Sequence, residues 1–341
     1  MPNVRAALLA AIGLSVFLPL AHAQVQTQFQ SPQILTLTLA NEYPATSLPG
    51  EGDTAFAKRV AELTTGKIEI RTVFDAKSGF KTVEQLAAVR DKKIDLGDHF
   101  AGALGSHDPI YLLSSLPFLT AGEDDARRLY ALAKPLYEAA FARANQKLLF
   151  ATPWPPSGLW TKRAVNDLAT VAALKLRTYD STSSAVFTRL GASAVNISFS
   201  EAMGKINSGE VDAVLSSGDG GAGRKLWEFL NHFTAIEYAT PLSLVTINLD
   251  VWNALDAASR SAIVQAAAET EALQWQRAKK RVEENYARMR ENKMTIVSTM
   301  PVALRAALTE AARVEIDTWA ARTPEGKAVL ERYRGGVQRD K

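Results

Sequence analysis

Leu174-Lys175-Leu176-Arg177-Thr178-Tyr179-Asp180-Ser181 is the stretch from which the rest of the chain can be read. Leu174 and Leu176 alternate with Lys175 and Arg177, the period-two pattern of a half-buried strand. A short polar turn follows. Ser181 then stands where a helix can begin, running over residues 183–190 and closed by Gly191. Arg177 is thereby placed at the carboxyl end of a strand, where open α/β sheets bind their ligands. Its guanidinium is a planar fork of donors suited to a carboxylate or a phosphate.

The flanks repeat the strand-then-helix rhythm. Upstream, residues 34–40 are β-rich and end in the polar loop Asn41-Glu42-Tyr43-Pro44-Ala45-Thr46-Ser47. Residues 52–65 carry Phe56, Val60 and Leu63 at helical spacing and stop at Gly66. Residues 67–74 alternate through Ile68 and Ile70, residues 81–91 are helical, and residues 94–97 give a short third strand. Residues 112–119 are too short and proline-broken for a central strand. A long helix is expected over 123–146, then a strand over 147–151. The stiff segment Thr152-Pro153-Trp154-Pro155-Pro156-Ser157-Gly158 reads as a crossing between lobes, and a second strand–helix series starts at Leu159. Downstream, Ser198 and Glu201 have the spacing of a capping box, and residues 211–215 form a strand. Residues 242–249 form an apolar strand able to recross to the first lobe. One very long helix is expected over 256–290 and another over 301–321, with a frayed tail after Tyr333. Strands alternating with helices in this way specify an α/β fold.

The first residues read as an export signal. Arg5 supplies the positive charge, residues 6–20 are apolar, and Ala21-His22-Ala23 offers a small-x-small cleavage site before Gln24. An apolar core of about 15 residues, interrupted by Pro19, falls short of the roughly 20 needed to span a bilayer. Cleavage after Ala23 leaves 318 of the 341 residues, enough for two lobes. It also reduces the net charge from +3 to +2, which gives no reason to expect nucleic acid or a membrane surface as partner. The chain has no cysteine, so disulfides, thiolate catalysis and zinc–thiolate sites are excluded. His99, His107 and His232 are too dispersed for a histidine metal site.

Few motifs in the chain could carry chemistry. Gly218-Asp219-Gly220-Gly221-Ala222-Gly223 matches the dinucleotide fingerprint, but Asp219 places a negative charge in the phosphate cradle and no acidic residue stands about 20 positions on. A loop near the cleft is the better reading. No Gly-x-Ser-x-Gly elbow is present, and the paired carboxylates Asp95/Asp98 and Glu283/Glu284 are expected on surfaces. Aromatic residues gather at loops: Tyr43, Phe100, Trp154, Trp160, Tyr179 and Tyr238. Of these, Tyr43, Phe100 and Trp160 stand closest to strand ends and crossings.

Five blocks in order carry a family likeness: Phe56-Ala57-Lys58-Arg59-Val60-Ala61-Glu62-Leu63-Thr64-Thr65-Gly66-Lys67-Ile68, Lys93-Ile94-Asp95-Leu96-Gly97, Leu116-Pro117-Phe118-Leu119, Leu174-Lys175-Leu176-Arg177 and Ser208-Gly209-Glu210-Val211-Asp212-Ala213. Over residues 35–330 the chain resembles the periplasmic solute-binding subunit of TRAP (tripartite ATP-independent periplasmic) transporters, the DctP-like family. The resemblance implies a two-lobe periplasmic binding protein of the type II-like class, with a hinge and one long helix spanning both lobes. Lobe I would comprise residues 24–155 plus 243–280, and lobe II residues 156–242 plus 281–341. Arg177 falls on the family's arginine that pairs with the carboxylate of a bound organic acid. Ser216 falls where many members carry a ligand-contacting asparagine, and Trp160 where some carry a further arginine, which suggests a flat or apolar ligand. Asn41, Tyr43, Phe100, Ser217 and Tyr238 complete the expected ligand-binding set. The glutamate with which some keto-acid binders hold a metal is absent, so neither a metal nor a cofactor is expected. The implied protein is not an enzyme. It is a periplasmic monomer that captures a small carboxylate and delivers it to a TRAP membrane permease. The alternatives are a binding protein of another uptake or signalling system, or a periplasmic enzyme.

Overall fold

The computed structural model describes residues 34–339, with side chains described as far as residue 336. The expected export signal and its cleavage site lie outside the described residues. Strand β1 (Leu35–Asn41) leads into helix α1 (Leu48–Leu63), then β2 (Ile68–Val73), α2 (Thr82–Arg90) and β3 (Leu96–Phe100). Two 3-10 turns, Ala101–Ser106 and Pro109–Ser115, fill the proline-broken region before α3 (Glu123–Arg143) and β4 (Gln146–Pro153). After the proline-rich crossing come β5 (Ser157–Thr161), α4 (Leu168–Ala172), β6 (Lys175–Thr178), α5 (Ser181–Arg189), β7 (Ser193–Asn196), α6 (Phe199–Ser208) and β8 (Ala213–Ser217). They are followed by α7 (Gly218–Gly223), β9 (His232–Thr234), β10 (Leu242–Asn248), α8 (Leu249–Ala254), α9 (Ala257–Glu291), β11 (Thr295–Val297), α10 (Val302–Arg322) and α11 (Pro324–Arg339).

Two sheets organise these elements. The first has the order β2-β1-β3-β10-β4 and the second β11-β9-β5-β8-β6-β7. In the first, β1 runs parallel to β2 and β3, and β10 is inserted antiparallel between β3 and β4. In the second, β6, β7 and β8 are parallel and β5 is antiparallel to β8 and β9. The parallel strands of both sheets therefore send their carboxyl ends into the space between the lobes, which is the architecture the family likeness implied.

Local sequence explains most boundaries. Ser47 caps α1 by accepting from the Gly50 N–H, and Pro49 is tolerated in the first turn, so the helix starts earlier than the 52–65 expected. Asp180, not Ser181, caps α5. The capping box of Ser198 and Glu201 forms at α6, and Gly209 closes that helix with φ +76°. Asp256 caps α9, which runs 35 residues. Its early turns pack Ile263, Ala266 and Ala267 with Phe56 and Val60 of α1. Its last turns send Met289 into the core beneath the second sheet.

Three expectations change. The glycine-rich segment 218–223 is not a loop but a helical turn, capped by the Ser217 hydroxyl on the Gly220 N–H. The tail does not fray at Tyr333. Val329, Leu330 and Tyr333 sink into the α3 cluster, and that burial carries α11 on to Arg339. For the same reason the segment 281–341 divides, α10 lying on α5 and α11 on α3. Among the described residues no helix is long and apolar enough to cross a membrane.

Candidate functional site

β6 is held between β7 and β8, with Arg177 paired to Val195 on one side and Val214 on the other. The strand is buried on both faces beyond Lys175, so the arginine faces an enclosed cleft rather than solvent and is only 3% exposed. Its Nε donates to the Ile197 carbonyl at 3.0 Å and its Nη1 to the Leu215 carbonyl at 3.3 Å. The guanidinium carbon lies 4.9 Å from the centre of the Phe199 ring. These contacts fix the fork at the ends of two neighbouring strands. Among the described residues, Arg177 makes no ion pair with a carboxylate. Burial lowers its proton affinity, opposed by the nearby Tyr43 and Glu42. Glu42 is engaged elsewhere, accepting from Thr82 N–H at 2.9 Å and from the Ser200 hydroxyl at 3.1 Å. The result is a buried cation with no carboxylate bonded to it among the described residues, an arrangement that favours an incoming anion.

The space beside it, open solvent included, is about 270 Å³ and is lined by Tyr43, Phe100, Trp154, Ser157, Arg177, Tyr179, Phe199, Ser216, Ser217, Gly220 and Pro241. Each lobe supplies part of the wall. Tyr43, from the loop after β1, has its ring centre 4.7 Å from Trp154 and 6.2 Å from Phe199 of the facing lobe. Phe100, at the end of β3, meets Tyr179 edge-on at 5.2 Å. The Tyr179 hydroxyl donates to Ser157 Oγ at 3.3 Å. Burial raises the pKa of both Tyr43 and Tyr179, keeping them as neutral phenols that can donate. Ser217 accepts the Gly220 N–H through its hydroxyl oxygen, which leaves its own proton to donate into the cavity.

Of the eight expected residues, Arg177, Tyr43, Phe100, Ser216 and Ser217 come together here. Trp160, Asn41 and Tyr238 do not line the cavity. Trp160 is fully buried beneath it, donating to the Ser217 carbonyl at 3.2 Å and packing edge-on against Phe233. Asn41 donates to Asp53 at 2.7 Å and to Asp98 at 3.0 Å inside the first lobe. Tyr238 lies in the second-lobe core between Phe118, Phe187 and Tyr179. Strand alternation turns a neighbour of a lining residue away from the cavity, and strand membership alone cannot reveal which neighbour that is. Trp154, Ser157, Tyr179, Phe199, Gly220 and Pro241 were missing from the expected set. Two signals pointed to some of them: the proline-flanked Trp154, and the capping box that sets Phe199 at a helix start. The dinucleotide motif fails on geometry too, since Asp219 is fully buried and accepts from Arg281, Asn285 and the Leu48 N–H. No group of three or more histidine, aspartate or glutamate side chains converges to hold a metal ion among the described residues.

The family model of the bacterial extracellular solute-binding proteins, family 7 (DctP), matches residues 39–322. The chain belongs to this family. It is an extracytoplasmic solute-binding receptor of the TRAP type, and not an enzyme. A solute-binding protein of Verminephrobacter eiseniae is 24% identical to this receptor over 284 residues, 82% of each chain. Among solved structures, DctP6 of Bordetella pertussis, an extracytoplasmic solute receptor binding pyroglutamic acid, is 29% identical with a TM-score of 0.84. The alignment covers 88% of this receptor and 99% of that chain. A TRAP solute-binding protein from a marine metagenome, specific for pyroglutamate, is 28% identical over 89% of this receptor and 99% of its own chain, also with a TM-score of 0.84.

Proposed function

We propose that this receptor captures a compact cyclic monocarboxylate of the pyroglutamate class and hands it to a TRAP permease. The observation that carries the reading is Arg177, a buried guanidinium that faces the cavity and has no ion-pair partner among the described residues. One fixed cation calls for one carboxylate, held bidentately. The cavity is walled by Tyr43, Phe100, Trp154, Tyr179 and Phe199. Its aromatic walls suit a flat ring, while Ser157, Ser216, Ser217 and the two phenols offer partners for a ring amide. Receptors of similar sequence that bind pyroglutamic acid support the same class. In this reading the receptor works as a monomer in the periplasm after cleavage behind Ala23, and has no nucleic-acid partner.

Calorimetric titration with pyroglutamate, proline, succinate and lactate tests the proposal. Pyroglutamate should bind most tightly, and a second carboxylate as in succinate should weaken binding. Arg177→Ala should lose about 2–5 kcal/mol, roughly 30- to several-thousand-fold in affinity. Equal affinity for pyroglutamate in the mutant would remove the anchor, and tighter binding of succinate would reassign the class.

A further inference from the structure

The loop between β1 and α1, residues 42–47, carries Tyr43 on to the ligand cavity and is gripped from the other lobe. Asp219, in the glycine-rich turn α7, accepts the Leu48 N–H at 2.7 Å, at the start of α1. The same carboxylate receives Arg281 Nε at 2.6 Å and Asn285 Nδ2 at 3.2 Å. Arg281 continues the grip by donating to the Thr46 carbonyl and to Glu51. One turn on, Arg224 donates to the Glu42 carbonyl at 2.6 Å. Pro44 sits so close that a Cβ on Gly223 would come within 3.1 Å of its ring. Asp219 is fully buried and lines no part of the cavity. Its charge is offset by Arg281 and Asn285 on its own side, and the Leu48 N–H adds the bond that reaches across to the first lobe.

We propose that Asp219 is a positioning residue for ligand capture: it hooks the Tyr43 loop to the second lobe and thereby sets how long a bound ligand is retained. The glycines of the motif let the turn approach the loop and the Trp160 ring, and the acidic residue that disqualifies the motif as a phosphate cradle becomes its working part. Because the contact holds the two lobes together around a bound ligand, its loss acts on dissociation more than on association.

Stopped-flow fluorescence of pyroglutamate binding, reported by Trp154 in the cavity wall, tests this with Asp219→Asn. Dissociation should be about ten-fold faster, less than for a fully broken buried charge pair because Arg281 keeps Glu51, while association changes less than about two-fold. Arg281→Lys, which keeps a charge but not the fork, should show the same effect more weakly and serves if Asp219→Asn does not fold. Asn285→Ala removes a partner that does not touch the loop, and should lower the melting temperature while leaving dissociation unchanged. Unchanged dissociation in Asp219→Asn or in Arg281→Lys overturns the proposal, as does an equal acceleration in Asn285→Ala. If the wild-type receptor does not bind pyroglutamate, the ligand reading fails and the hook is tested separately. Spin labels at Lys58→Cys and Ser193→Cys, in a chain with no other cysteine, report the distance between lobes without ligand. Asp219→Asn should lengthen that distance, and an identical distribution overturns the hook.

Discussion

Arg177 and Gly221 act at the same site from opposite sides, one by what it offers and one by what it lacks. Arg177 spends two donors on the Ile197 and Leu215 carbonyls and keeps the rest of its fork for the cavity. Lysine at this position keeps the charge but cannot satisfy both carbonyls and present two parallel donors. Arg177→Lys should therefore bind pyroglutamate better than Arg177→Ala and well below wild type, as read by calorimetry. At Gly221 a Cβ would stand 2.1 Å from two ring carbons of Trp160, which is fully buried and cannot retreat. Overpacking of this kind costs about 1–3 kcal/mol, more than the roughly 0.5–1 kcal/mol that alanine gains over glycine in a helix. Gly221→Ala should lower stability and, by lifting the cavity floor, weaken ligand binding. Gly204, in the middle of α6 with no atom within 4 Å of its missing Cβ, should instead gain stability on the same change. Urea unfolding of the two variants, measured side by side, checks the opposite signs.

α1 and β3 meet through a pair of buried acids, Asp53 and Asp98, bridged by the Asn41 amide. Desolvation raises the pKa of both, Asp98 to about 7, with the neighbouring charge of Asp98 raising Asp53 further. An acid with a raised pKa holds its proton in the native state after the unfolded chain has released it, so stability falls as pH rises from about 4 to about 7. Asp98→Asn should flatten that slope and make the protein more stable near pH 8 than wild type, as urea unfolding at about pH 5 and pH 8 would reveal. This pair also explains what the sequence withheld. The helices and outer strands were legible because their caps, glycine stops and apolar spacing are local signals. β3 was expected over 94–97, yet it reaches Phe100 through Asp98 and His99, polar residues buried on every side. His99 is kept neutral, its pKa pushed down to about 3 by burial, and contacts Thr246 at 2.9 Å. No periodicity marks a strand whose polar side chains meet Asn41 and Thr246, 57 and 147 residues away. The site divides in the same way. Arg177 was legible from its strand end, whereas the aromatic wall depends on which lobe faces which.

At the scale of the whole molecule, a ligand enclosed between lobes binds the native state and not the unfolded chain. Pyroglutamate at 100 times its dissociation constant should add about 2.7 kcal/mol to stability. Arg177→Ala should lose most of that gain, and a thermal-shift series in ligand concentration measures both. The sheet order has a second consequence, for the way the chain reaches this form. β4 joins the first sheet only through β10, which lies about 90 residues further along. A chain emerging from its N-terminus has made the whole second parallel series before the first sheet can close. α9, which touches α1 at one end and the second core at the other, comes later still. Pairings so distant in sequence are slow to form. The first sheet can therefore take in β4 only after β10 has been synthesised, which makes the late strand β10 the piece that closes the first lobe.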